Sequence, residues 1–238
     1  MKNKQFWFVA LFLIMEIVLY LIILTSSGKV NTFVSFSAVL LAFVFSLLFK
    51  SYSGVKHFTR IALFFTVLAD VCLVLINPQQ RLIAMVFFSI TQLCYFYRLL
   101  FYSMSPNEKR THIKLRALFI VIVLSVTLLV LGERADALAV VSMFYYTNLV
   151  LNVIFAIVQY RVNIYFTLGM VCFLICDTLI GLEVANGLYF NIPSDSFINE
   201  LIHSTINLPW LFYVPAQVLI ALSLKVNRKV TVSTVEKG

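Results

Sequence analysis

Two carboxylates stand where carboxylates are costly. Asp70 lies in IALFFTVLADVCLVLI (61–76) and Asp177 in IYFTLGMVCFLICDTLIGLE (164–183). An ionisable group in so apolar a run must be paired, protonated or wetted, and such residues mark functional sites by default. The surrounding strings are alike, LADVCLVL and ICDTLIGL, so the two acids read as one polar site shared by two helices. Two carboxyl groups close together cannot both ionise cheaply; one keeps its proton while the other carries charge. Such a pair can protonate a substrate, steady a nearby cation or activate water. Ethers and acetals that break through an oxocarbenium-like state suit it. A relay in a proton-coupled transporter would use the same acids, and the spacing does not separate the two readings.

Further polar groups fall near mid-span. They are Gln92 and Tyr95, then Tyr145 and Tyr146 beside Asn148 and Asn152, then Tyr213 and Gln217, with Glu16 near the N-terminus. Tyr213 and Gln217 are four apart and share a helical face. Asn148 and Asn152 read as groups that bond a neighbouring helix. Glu16 needs a partner whatever its role. No Ser nucleophile with a His base is evident, which disfavours a triad esterase. His57, His112 and His203 fall in loops or at span ends, while Cys72, Cys94, Cys172 and Cys176 fall inside spans as small apolar residues. No cluster has metal-ligand spacing, which weakens a zinc-hydrolase reading.

The elements that carry these groups follow from composition. Of 238 residues, 62% are hydrophobic and 12% charged, more apolar surface than a soluble domain of this length can hide. In a bilayer the backbone must pair internally, so long apolar runs are helices. Eight spans are expected within one domain covering 1–238, at roughly 5–25, 33–49, 61–76, 82–102, 117–131, 137–160, 164–183 and 206–225. The third and fifth are short, and their ends extend into the flanks. The first is too long for a signal-peptide core and holds Glu16. The segment 184–205 is the longest outer loop. The fold class is therefore all-α, a polytopic membrane bundle. The echo between the two acidic spans hints at a four-plus-four repeat, in which both run the same way. Both aspartates then lie six residues, ~9 Å, below the outer boundary.

The formal charge of +8 would fit nucleic acid, but its placement argues for orientation in a membrane instead. Lys2, Lys4, Lys50, Lys56, Arg60, Lys109, Arg110, Lys114, Arg116, Arg161, Lys225, Arg228, Lys229 and Lys237 fall on one side. Lys29, Arg81 and Arg134 fall on the other. This bias puts both termini in the cytoplasm. Arg98, near a span end, is expected to snorkel.

Four motifs in order resemble the lysoplasmalogenase-like (YhhN-like) family of integral membrane proteins. They are LADVCLVL at Asp70, FFSITQLCYFY at Gln92 and Tyr95, FLICDTLIGL at Asp177, and YVPAQVLIAL at Tyr213 and Gln217. The chain departs from the family pattern at Ala69, usually Gly, at Gln92, often His, and at Cys176, usually Ser. Asn31 and Thr32 replace a Lys-Pro pair. The resemblance implies hydrolysis of the vinyl ether of a lysoplasmalogen to a fatty aldehyde and a glycerophospho-base, without a cofactor. It implies Asp70 and Asp177 as the acid–base pair. Tyr95, Tyr213 and Gln217 would bond the ether oxygen, the water or the glycerol hydroxyl, with Gln92, Tyr145 and Glu16 in support. Arg81, near the outer face, would meet the lipid phosphate. The expected partner is a membrane lipid or lysophospholipid, and the expected location is the cytoplasmic membrane if the protein is bacterial. A proton-coupled carrier or a non-catalytic lipid-binding protein on the same scaffold are the competing readings.

Overall fold

A computed structural model describes residues 2–26, 28–49, 54–76, 81–100, 106–204 and 207–225, with backbone alone at 2–5 and 28–30. The described residues form nine helices: α1 (Lys2–Thr25), α2 (Gly28–Leu47), α3 (Gly54–Asp70), α4 (Arg81–Leu100), α5 (Pro106–Leu131), α6 (Ala137–Val158), α7 (Ile164–Ala185), α8 (Phe197–Ile202) and α9 (Leu208–Leu222). They contain no strand, only an isolated bridge between Asn186 and Phe190. Seven helical segments are long and apolar enough to cross a bilayer, while α2 carries a shorter apolar run, Asn31–Leu47. The protein is thus an all-α, polytopic integral membrane bundle, with seven long spans and one shorter helix in the eight expected places. As expected, the third and fifth spans reach outward, beginning at Gly54 and Pro106. The segment 184–205 is more ordered than a plain loop, since it carries α8 after the bridge.

The outside of the bundle confirms the solvent. Leu11, Ile14 and Val18 on α1, and Leu118, Val121 and Leu129 on α5, are exposed. Helices apolar on the outward face are stable against lipid tails, not water. The starts of α6 and α7 are capped. Asp136 accepts from Ala139 N–H at 2.7 Å at the start of α6, and Asn163 accepts from Phe166 N–H at 3.1 Å at the start of α7. Each cap satisfies a backbone donor that the helix itself cannot pair.

The packing repeats between halves. α3 lies along α4, and α7 along α9; α1 packs on α2, and α5 on α6; α2 packs on α3, and α6 on α7. Across the halves, α2 packs on α9 just as α6 packs on α4. Laid over each other on their aspartates, α3 and α7 bury matching positions: Ala62 with Gly169, Leu63 with Met170, Thr66 with Phe173. Laid over on Gln92 and Gln217, α4 and α9 match Phe88 with Tyr213, Thr91 with Ala216 and Tyr95 with Ile220. The same overlay pairs Arg98 with Ser223, and these two residues hydrogen-bond each other, Nη1 to Oγ, at 2.8 Å. A residue that meets its own mate marks the pseudo-twofold axis.

Both halves close their helix pair with a small residue. A Cβ on Gly169 would stand 2.8 Å from Ile220 Cγ1 and 3.1 Å from the Ala216 carbonyl. At the matching crossing, Thr91 Oγ1 donates to the Ala62 carbonyl at 3.2 Å. Small residues let membrane helices approach this closely.

Two arginines correct the sequence reading. Arg98 does not snorkel: it is 0% exposed, stacks on Phe166 at 3.7 Å and donates to Thr59 Oγ1 at 2.9 Å. Arg116 is not a loop cation but lies buried within α5, over the ring of Phe96. Buried oxygens and rings, hydroxyls for Arg98 and amide oxygens for Arg116, offer each guanidinium a better site than the aqueous boundary. Of the other cations in the orientation argument, Lys50, Arg228, Lys229 and Lys237, and the side chains of Lys2, Lys4 and Lys29, lie outside the described residues.

Candidate active site

Asp70 is the last residue of α3, and the chain continues from it as a π-helical turn, Val71–Ile76. Such turns widen the backbone ladder and recur at functional sites. The Asp70 carboxyl is 3% exposed. It accepts from the Tyr213 hydroxyl of α9, which stands 2.8 Å from Oδ2 and 3.0 Å from Oδ1.

Local sequence explains how α9 presents Tyr213. Asn207 caps the helix and Pro209 lies in its first turn, where a missing N–H costs nothing. Pro215 sits inside the helix and cannot donate to the carbonyl four residues back, at Leu211. The Tyr20 hydroxyl of α1 bonds that carbonyl instead, at 3.0 Å. One proline thus opens the backbone ladder and a tyrosine from another helix closes it.

Asp177 lies on α7, half-buried, and makes no hydrogen bond among the described residues. Asp177 lies within range of the Asp70 charge, and Tyr213 within range of both. Cys176 is within range of Asp70 as well. The mate of Tyr213 is Phe88, a ring of similar size with no hydroxyl. It stands edge-on to Phe173 at 6.2 Å, and Phe173 stands edge-on to Tyr213 at 5.7 Å. One half therefore clamps an aspartate that the other half leaves free.

The supporting residues divide. Gln217 is buried one turn beyond Tyr213, and neither its amide oxygen nor its nitrogen has a partner among the described residues. Tyr145 is buried against Phe88 at 5.6 Å, with its hydroxyl unbonded. Tyr95 is fully buried, edge-on to Phe166. Gln92 is also fully buried, with its carbonyl oxygen bonded to Asn152 Nδ2 at 2.9 Å. Of the seven supporting residues expected, Tyr213 alone hydrogen-bonds the pair among the described residues. Arg81 is the first residue of α4 and partly exposed. Glu16 is buried on α1, with both carboxyl oxygens unpartnered.

The arginine–asparagine network was missed by sequence reasoning. Arg116 donates from Nε to Asn148 Oδ1 at 2.9 Å, from Nη2 to the Asn148 carbonyl at 2.9 Å and from Nη1 to Asn152 Oδ1 at 3.0 Å. The four-residue spacing of Asn148 and Asn152 placed them on one face, but nothing in it named the cation they hold. The four cysteines are free thiols, and no group of His, Cys, Asp and Glu could hold a metal among the described residues.

The arrangement offers a clamped carboxyl, a free carboxyl and neutral hydrogen-bonding groups, all inside an apolar shell. The model of the YhhN family matches residues 30–224. The chain belongs to the YhhN family. That family includes lysoplasmalogenases and is associated with hydrolase activity. No curated protein and no solved structure gives a significant match. The YhhN match runs from α2 to the end of α9 and takes in Asp70, Asp177, Tyr213 and both buried glutamines. It leaves out α1, and with it Glu16.

Proposed function

We propose that this YhhN-family protein is a membrane-embedded hydrolase that cleaves the vinyl ether of lysoplasmalogen-type lysolipids. The observation that carries the reading is the unequal pair: Asp70 held by Tyr213, and Asp177 within range of its charge but unheld. Asp70 and Asp177 are the catalytic residues. Asp177, with no donor filling its acceptor positions, carries the proton and delivers it to the β-carbon of the vinyl ether. The double bond becomes a single bond, and the α-carbon becomes an oxocarbenium. Asp70, aligned by the Tyr213 hydroxyl, steadies that cation and takes a proton from the water that adds to the α-carbon. As the hemiacetal collapses, Asp177 takes its hydroxyl proton and Asp70 returns the water's proton to the leaving glycerol oxygen, which gives a fatty aldehyde and a glycerophospho-base, consumes one water and restores both acids. General acid–base steps of this kind contribute about 10²–10⁴-fold each. The aromatic row from Tyr145 through Phe88 and Phe173 to Tyr213 keeps bulk water away, which strengthens each charge interaction.

The natural substrate is then a single-chain lipid that enters from the membrane, and a bacterial member would work in the cytoplasmic membrane. The test is aldehyde release from a lysoplasmalogen by purified protein in detergent, with a lysolipid ester as control. Release from the vinyl ether alone is the expected result; none from purified, folded protein would end the hydrolase reading.

One observation favours a second reading, a proton-coupled carrier. Glu16 is a third buried acid, with no hydrogen-bond partner and no link to the pair among the described residues. A carrier would show ligand-dependent proton movement in liposomes that Glu16→Gln removes, with no aldehyde formed.

A further inference from the structure

The unpaired amide nitrogen of Gln92 has a direction that other residues impose. Asn152 donates from Nδ2 to Gln92 Oε1 at 2.9 Å and to the Gln92 backbone carbonyl at 2.8 Å. Gln92 Oε1 is thereby used as an acceptor. Its Nε2, a group that only donates, is buried and has no partner among the described residues.

The amide of Asn152 has two faces, and its orientation is fixed from α5. Arg116 is a donor and nothing else, and it meets Asn152 on the Oδ1 side at 3.0 Å. A second guanidinium nitrogen bonds Asn148 Oδ1, and a third the Asn148 backbone carbonyl, so the guanidinium cannot turn. Asn152 must therefore present Nδ2 to Gln92, and Gln92 must present Nε2 to whatever lies beyond. If Asn152 were reversed, its Nδ2 would face a cation and its oxygen would face two carbonyls. A burial cost of this kind is avoided in membrane interiors, where no water relieves it.

The repeat sets that nitrogen beside a second one for comparison. Gln92 is the mate of Gln217, which lies one turn from Tyr213 and also has an unpartnered amide. Asn152 falls where α2 has Ala42, when α2 and α6 are laid over each other on their buried faces. The second glutamine therefore has no asparagine to hold it, and only the first is a donor of fixed polarity.

We propose that Arg116, acting through Asn152, fixes Gln92 as a hydrogen-bond donor to an oxygen of the lysolipid's glycerol backbone. Arg116 and Asn152 are positioning residues, and Gln92 is the binding contact. This inference rests on the lysolipid reading above but not on cleavage. A glycerol-side oxygen is the class of acceptor that fits. The donor is uncharged and suits a neutral oxygen, whereas a phosphate calls for a cation.

The probe is an alkyl-ether lysophosphatidylcholine, which has no vinyl bond to break, titrated into the full-length protein in detergent. Gln92→Met removes the donor while keeping shape and should weaken binding about tenfold. Asn152→Asp keeps a partner for Arg116 but takes away the donor that orients Gln92, and should weaken binding by a similar factor. The double variant should bind no more weakly than either single one, because both act on one hydrogen bond. Arg116→Lys takes the place of Asn152→Asp in the same cycle if the aspartate variant does not fold. Losses that multiply in the double variant, or a folded Asn152→Asp with wild-type affinity, would overturn the proposal. A non-additive cycle in a protein that releases no aldehyde would keep this inference and remove the hydrolase.

Discussion

The two halves of the bundle pack alike and are furnished differently. α3 with α4 and α7 with α9 bury matching positions, yet Asp70 receives a hydroxyl from Tyr213 whereas the matching position of the other half holds Phe88. The glutamines diverge as well: Gln92 is held by Asn152, and Gln217 is unbonded. In both cases the N-terminal half contributes the group that is held and the C-terminal half the group that is free. A repeated scaffold gives two acids at matching positions. In the proposed mechanism, loss of a hydroxyl on one side gives them the different work that acid–base chemistry needs and exact symmetry would deny.

Exchanging the distinguishing residues tests this contrast most strongly. Tyr213→Phe makes α9 resemble α4 and leaves Asp70 without its donor. Aldehyde release should fall about 100-fold, and the midpoint of thermal unfolding should drop by the equivalent of about 1–3 kcal/mol, because a buried acceptor loses its partner. Phe88→Tyr works the other way, bringing a hydroxyl to the place where Asp177 has none. Release should fall about tenfold, because a donated hydrogen bond favours the ionised form of the acid that must carry the proton, with little change in stability. Equal activity in all three proteins would mean that the asymmetry has no chemical role.

The helix crossings sharpen the comparison on stability alone. Gly169→Ala drives a methyl against Ile220 and the Ala216 carbonyl and should cost about 1–3 kcal/mol in a detergent melt. At the matching site, Ala62→Gly should cost about 0.5–1 kcal/mol, since it only loosens the helix. The reverse ranking would count against equivalent crossings.

The smallest effect lies outside the membrane, between the α5–α6 connection and the bridge segment. The Ala139 N–H and the Tyr189 hydroxyl, 2.8 Å from Asp136 Oδ1, hold the exposed Asp136 carboxyl below the usual carboxylate range. Burial, with the Asp136 charge, pushes the Tyr189 phenol up to about 12. A lowered carboxyl stabilises the fold above its ordinary range, and that contribution is lost as pH falls through its lowered value. For the phenol, whose folded value is raised, the contribution is complete below its ordinary range and is lost as pH rises toward about 12. Tyr189→Phe should slightly lower the melting temperature at neutral pH and leave it unchanged at strongly acid pH. An equal loss at both would show that the contact is packing only.

Much of this was legible in residues that violate their surroundings. Asp70 and Asp177 were conspicuous because apolar runs rarely hold acids, and Tyr213 and Gln217 because their spacing shares a face. Arg98 and Arg116 were misplaced because a cation near a span end reads as a boundary, and only the partners Thr59, Ser223, Asn148 and Asn152 show that it turns inward. The π-turn after Asp70 has no residue type that announces it. The repeat was only hinted at, because the matching residues differ in kind, Phe88 against Tyr213 and Ala42 against Asn152, while their burial agrees.

The central claim is that Asp70 and Asp177 act as one unit, and a variant cycle on aldehyde release measures it. Asp70→Asn, Asp177→Asn and the double variant are compared in folded, monodisperse protein. The account predicts that each single variant falls to the same floor as the double, because half an acid–base pair does no more than none. Losses that multiply, or one single variant that stays active, would contradict it.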